Sequence, residues 1–287
     1  MARTNKHERG MIMKRQICGI MIVLLTILSF GGVSLANTIP ENYSSWDVKL
    51  ESAVINETAG SYDYDKEFEA AKQEAQKQRE HSKNTVHQRI LNSIEQETAD
   101  KLVFPFKNET IAPSSISATW YYSDGIIADH GGSGIGYSEA RTIGDNIFRI
   151  GSRAEIAGSY WADGLLWVNY GRHSLGTGWY RLSTAYYLTG RVITGNLNIK
   201  LVVYDATARR IAEEKTIFSS SNGYFEDAFK SGYVNVYLEN GHSYVFEFVV
   251  ETEANAVVGV SMSDFTSKEF DGTQREVEWS FFRLASF

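Results

Sequence analysis

Few residues of this 287-residue chain have the type and spacing that chemistry requires. Asp129 and His130 stand together at the head of "DHGGSGIGY", Asp129 to Tyr137, and an acid beside a histidine is a start on a hydrolytic site. An esterase would also need its serine on a G-x-S-x-G elbow, and the chain contains none. Because triads are assembled in space, Asp129 and His130 stay as candidate catalytic residues. The glycines after them suggest a phosphate cradle, but no helix follows and the Lys-Ser/Thr pair is missing, so the segment reads as a flexible loop. Glu276 and Glu278 lie two apart and would share a strand face, roughly 6.5 to 7 Å from each other. A glycosidase could use that separation, yet Val277, Trp279 and Phe281 alternate with them and mark the pair as the solvated side of a strand.

Metal and cofactor chemistry find little support. His81 and His87 are about 240° apart around a helix, and His130, His173 and His242 are isolated, so no H-x-H or H-E-x-x-H pair exists. The acidic "YDYD", Tyr62 to Asp65, lacks the remaining ligands and the spaced glycine of a calcium loop. The expectation is no metal and no cofactor.

Aromatic rings are the richer resource. Trp120, Tyr121, Tyr122, Trp161, Trp167, Trp179 and Tyr180 fall in or beside apolar runs. Successive side chains on a strand point to opposite faces, so neighbouring rings cannot all enter one core. Rings left on a flat β surface offer apolar area with a polar handle, which is how proteins stack on sugars. Trp161 and Trp179, each next to Gly or Asp-Gly residues, are the first candidates for ligand binding, with Tyr180 and Trp120 behind them; the alternative is that these rings are buried inside the domain or under a helix.

The elements that must position these residues follow from periodicity. Residues 37–64 are polar and read as a linker. From 65 to 103 the chain is rich in Glu, Lys, Gln and Ala, with i,i+3 pairs Glu69/Lys72, Glu74/Lys77 and Glu80/Lys83, which predicts a helix. Its apolar stripe is confined to Val86, Ile90, Leu91 and Ile94, so a protruding spacer is the preferred reading. From 111 to 287, short alternating runs without intervening helices predict an all-β antiparallel sandwich, immunoglobulin-like or jelly-roll-like, as one domain or as two packed subdomains divided near residue 185. Asp124-Gly125, Asp163-Gly164, Asn222-Gly223 and Asn240-Gly241 supply the expected turns.

In "YVNVYLENGHSYVFEFVV", from Tyr233, a two-residue Asn-Gly hairpin would put Val234, Val236 and Leu238 on one face and Tyr244, Phe246 and Phe248 on the other. A bulged three-residue loop at Gly241 repairs the conflict. So does a corner: "LENGHSY" resembles the L-x-x-G-x-x-Y tyrosine corner of immunoglobulin-like and fibronectin type III sandwiches. That resemblance implies Leu238 and Tyr244 in the core, with Gly241 turning between sheets.

Location and class follow from the N-terminus and the charge. Lys14 and Arg15 precede the apolar run Ile17 to Phe30, and Ser34 and Ala36 occupy small-residue positions, so 1–36 reads as a secretory signal cut after Ala36, with a retained anchor as the alternative. Removing the five basic and one acidic residues of 1–36 leaves 23 Lys and Arg against 34 Asp and Glu, a net of −11. That disfavours nucleic acid and anionic lipid. Cys18, the sole cysteine, lies within the signal, so the exported chain has no disulfide. The sequons at Asn42, Asn56 and Asn108 matter only if the chain is exported.

The expectation is therefore a secreted or cell-surface, noncatalytic protein that binds a polysaccharide or another envelope component, or serves as a structural module. No nucleic acid and no membrane contact beyond the signal are expected, and the oligomeric state is left open. The alternatives are a secreted hydrolase assembled from distant residues, and a subunit of a larger surface assembly that uses Val86, Ile90 and Ile94. N-terminal sequencing of the exported protein is expected to begin at Asn37; a start within the first 13 residues would show a retained anchor.

Overall fold

A computed structural model describes residues 63–101, 117–174, 176–266 and 274–286. The expected signal, the expected linker except Asp63 and Tyr64, and the three sequons lie outside them. Asp63 opens the helix α1, Tyr64–Lys101, by accepting the Lys66 amide on its carboxylate at 3.1 Å, the N-cap arrangement. Ten strands follow: β1 Ser117–Trp120, β2 Gly125–Ser133, β3 Gly136–Ile143, β4 Ile147–Ala154, β5 Gly158–Arg172, β6 Gly178–Asp205, β7 Arg210–Leu238, β8 Ser243–Ala256, β9 Ser261–Phe265 and β10 Glu276–Ser286. Every pairing is antiparallel. The protein is an antiparallel β-sandwich preceded by one long helix.

The strand β6 makes it a sandwich. Its first half pairs with β10 from Tyr180 to Thr189, its middle with β9, and its second half with β8 from Asn196 to Asp205. Between these halves Thr194 takes a left-handed backbone, φ 50°, held by its hydroxyl, which shares its one hydrogen between the Ile193 and Val260 carbonyls. The β6–β7 register slips between Ile193 and Leu197 at the same place. One strand thus serves both layers. All ten strands join one continuous sheet that folds over at β6: β10, β4, β9, β1 and β3 lie with its first half as the first layer, β8, β5 and β2 with its second half as the second, and β7 follows β6 through both. Rings from the two meet in the core: Phe148 of the first stacks on Phe248 of the second at 6.4 Å, and Tyr186 meets the same ring at a tilt at 5.2 Å.

Several expected boundaries change. The segment from Asp129 to Tyr137 is not a flexible loop: it forms the second half of β2, a two-residue turn and the first two residues of β3. Asn222-Gly223 sits inside β7, opposite the bend at Val192 and Ile193, and β6 runs through 185 without a break, which removes the subdomain division there. Asp163-Gly164 also lies mid-strand: a Cβ on Gly164 would come within 2.4 Å of the Phe148 ring, so the glycine admits an aromatic neighbour instead of turning the chain.

The segment from Leu238 to Tyr244 carries the chain from one half of β6 to the other. β7 ends at Leu238 opposite Gly178, the first residue of β6, whereas Tyr244 of β8 lies opposite Asp205, the last. The chain therefore changes layers over four residues, with Gly241 at φ 88°. Leu238 and Tyr244 are buried, and the Tyr244 hydroxyl accepts the Glu239 amide at 2.8 Å. The bulged hairpin does not form because β7 pairs with β6 alone. Tyr244→Phe is expected to cost about 1 kcal/mol, measured by denaturant unfolding; an unchanged midpoint would show that the hydroxyl does not hold the corner.

Candidate functional site

Two surfaces with opposite chemistry emerge, one on the outer face of each layer. On the first layer, β6 and β7 expose alternate residues, and rung partners bring rings together. Trp179 faces Tyr237, their centroids 5.6 Å apart. Four residues along, Tyr233 lies opposite Ser183, with the Arg181 guanidinium 4.3 Å and the Lys215 ammonium 4.5 Å from its ring. Four further along, Phe229 meets Tyr187 at 5.4 Å. At roughly 3.4 Å per residue these three rungs span about 27 Å. Arg181 donates to the Asn235 side chain between the first two rungs, so polar groups alternate with rings. Beside the third rung, Thr189, Asp227, Gln274, Glu276 and Glu278 form a shallow recess. Arg149 holds Glu276 there through two bonds to Oε2 at 3.1 and 3.0 Å, and Val277 and Trp279 are fully buried behind it.

The candidate rings divide accordingly. Trp179 is 55 % exposed and stays on this surface. Trp161 does not: at 3 % exposure it is covered by α1, with the Arg79 guanidinium 5.9 Å from its ring. Tyr180 points to the opposite face of β6 from Trp179 and is buried, donating to the Gly176 carbonyl at 2.9 Å. Trp120 is half-buried, edge-on to Tyr170 and Phe246. Burial thus removes Trp161 and Tyr180 as platforms. Tyr233, Tyr237 and Phe229 went unselected although their i, i+4, i+8 spacing was readable, because the alternate set Val234, Val236 and Leu238 claimed the strand for the core.

Asp129 and His130 do not form a catalytic pair. Their side chains leave β2 on opposite faces: Asp129 accepts the Ser82 hydroxyl at 2.5 Å, and His130 Nδ1 lies 3.2 Å from Ser138 Oγ. Ser138 itself donates to the Gly131 carbonyl. Among the described residues no carboxylate orients the His130 ring, so the base-orienter geometry of a triad is missing. His173 is structural, fully buried between the Tyr170 hydroxyl and the Gly176 carbonyl. No group of three or more potential metal ligands gathers among the described residues.

The outer face of the second layer carries the helix. Ala71, Ala75 and Ile90 of α1 are buried, and between them long polar side chains make the attachment. Arg79 binds both oxygens of Asp163 at 2.5 and 2.8 Å and reaches Glu253 at 3.1 Å. Lys83 binds Glu251 at 2.6 Å, which Lys200 also holds at 3.1 Å. Burial opposes the Glu251 charge, but Lys83, Arg79 and Lys200 outweigh it and hold the carboxyl below its ordinary range. The helix is therefore docked and not protruding over this stretch. The apolar residues Val86 and Leu91 pack with Ile90, Tyr204 and Val245; Ile94 lies beyond the described side chains.

Beneath α1 remains a cavity of 490 Å³. On its β8 wall Glu247 lies between rung partners Val202 and Trp167, 6 % exposed. Burial, reinforced by Glu214, pushes its pKa up to about 8.

No protein-family model matches the chain, and no curated protein is significantly similar to it. Solved structures with some likeness include the C-terminal CBM6 of a laminarinase from Zobellia galactanivorans, 10 % identical, TM-score 0.26, covering 60 % of this chain and 100 % of that one. A family 35 carbohydrate-binding module from Clostridium thermocellum is 16 % identical, TM-score 0.25, covering 60 % and 97 %. A module of Cellvibrio mixtus lichenase 5A, in complex with cellotriose, is 10 % identical, TM-score 0.24, covering 62 % and 99 %. At such scores the fold rests on the strands and their register.

The Glu247 proton has a consequence for stability. The folded chain keeps it where the unfolded chain, with an ordinary pKa of 4.5, releases it. Stability therefore falls as pH rises from about 4.5 to about 8 and is level beyond. In Glu247→Gln the drop in Tm between pH 5 and pH 8 is expected to shrink; an equal drop in both proteins would refute the assignment.

Proposed function

We propose that the protein is an exported, noncatalytic β-sandwich that binds an extended polysaccharide or envelope glycan along the outer face of its first layer. The observation that carries this reading is the line of exposed rings Trp179/Tyr237, Tyr233 and Tyr187/Phe229. Rings spaced along one face suit a long, repetitive ligand with apolar faces and polar edges, and Arg181, Ser183 and Asn235 between them offer hydrogen bonds to hydroxyls. A small ligand would be better served by one enclosed pocket, which this surface does not provide. Export rests on the N-terminal apolar run and the small residues before Asn37. Among the described residues, no helix is long and apolar enough to cross a membrane.

A surface-assembly role for Val86 and Ile90 loses its basis, since both pack on the protein's own sheet. Among the described residues, Asp129 and His130 are not joined to each other or to a nucleophile, which leaves the hydrolase reading without support.

Retention of the full chain on insoluble polysaccharides and cell-wall preparations tests the proposal. Trp179→Ala and Tyr237→Ala are each expected to weaken retention about tenfold, the equivalent of roughly 1.4 kcal/mol, with circular dichroism unchanged. No retention of the wild type on any matrix, or undiminished retention of the double variant, would overturn it.

A further inference from the structure

The cavity under α1 has no part in the binding surface just described, which lies on the other layer. Its size is within the range of small-molecule sites, and its walls are mixed. Val86 and Ile90 of α1, Leu165 of β5, Val202 of β6 and Val249 of β8 give an apolar enclosure. Among them stands Glu247, more than nine-tenths buried and facing the like charge of Glu214 instead of a cation. Its cross-strand neighbours explain this, because Val202 and Trp167 have no donor directed at it, and the Trp167 Nε1 is itself without a partner. A buried carboxyl without a donor or counter-charge is costly unless something else supplies them.

Most of the charges facing this space are committed elsewhere. From α1, Lys83 goes to Glu251, and His87 stacks edge-on with Tyr204 at 4.7 Å. From β6, Lys200 bridges Glu251 and Glu214. From β7, Arg210 reaches Glu239 at 4.0 Å and Glu214 adds negative charge, with Arg209 preceding the strand. Asp163 of β5 is clamped by Arg79, and Asp129 of β2 takes the Ser82 hydroxyl. The group that Glu247 lacks is therefore a cation bearing N–H donors, on a body that fits apolar walls.

We propose that this cavity binds a small amphipathic amine, whose ammonium pairs with Glu247 while its hydrocarbon part fills the space between α1 and the second layer. Pairing requires the carboxyl to release its proton, so binding is proton-linked. Removing that proton is harder below a pKa of about 8, and affinity should climb with pH up to that value.

Isothermal titration of the full chain with n-hexylamine, and with 1-hexanol as a neutral match, tests this between pH 6 and pH 9. The expected result is amine affinity rising about tenfold per pH unit toward pH 8 and levelling above it, with hexanol weaker and indifferent to pH. Glu247→Gln should weaken the amine at pH 8 at least tenfold and abolish the pH slope. Val249→Phe, which fills the cavity without touching the carboxyl, should weaken both ligands and covers the case of a poorly folded Glu247 variant. No amine binding at pH 8 to 9, equal binding by amine and alcohol, undiminished binding by a folded Glu247→Gln, or affinity that falls above pH 8 would each overturn the proposal. None of these results bears on the polysaccharide surface, which Trp179 and Tyr237 report separately.

Discussion

The rest of the molecule depends on the reversal of β6 at Thr194. A 28-residue strand would extend roughly 90 Å if straight, far beyond one layer of a domain this size. Bending it at a left-handed residue lets its two halves face each other, so that Leu182, Tyr186 and Leu188 on one side and Leu197, Ile199, Leu201 and Val203 on the other join one core. The fold-back also brings Gly178 and Asp205 to the same end of the sandwich. There Tyr244 closes the chain's passage from layer to layer. Strain at Thr194 is offset by its hydroxyl hydrogen bond, shared between two carbonyls, and by the pairing on either side.

With the inner faces spent on the core, function is left to the outer faces, and these diverge. The first layer's outer face is uncovered and aromatic. The second layer's is acidic and lies under a helix. Asp163, Glu251 and Glu253 would repel one another if bare, and Arg79, Lys83 and Lys200 neutralise them at partly buried positions where such pairs are less screened than at the surface. Breaking one partner there would strand a charge, so the helix and the acidic face depend on each other. Docking by long polar side chains over two buried alanines also explains why α1 lacks an apolar stripe along most of its length.

The docked helix gives the cavity its roof. Glu247 is largely removed from solvent because β8 alternates it outward between Val245 and Val249, and α1 roofs the space. A carboxyl in that setting is a consequence of two independent elements meeting, and no local pattern in β8 announces it.

The alternation of apolar and polar residues, read with the absence of helices after residue 111, determined the β class by itself, because strand period is a local property. The "LENGHSY" segment likewise specified its own corner, since Leu238, Gly241 and Tyr244 act within seven residues of each other. The tertiary structure alone decided which rings are available. Trp161 and Trp179 look alike as sequence, each beside small turn-prone residues, yet α1 covers one and nothing described covers the other. It also decided the roles of Gly164 and Asn222-Gly223: the first makes room for Phe148 from a distant strand, and the second follows a bend imposed by β6. Both depend on contacts between residues far apart in the chain, where neither spacing nor composition carries information.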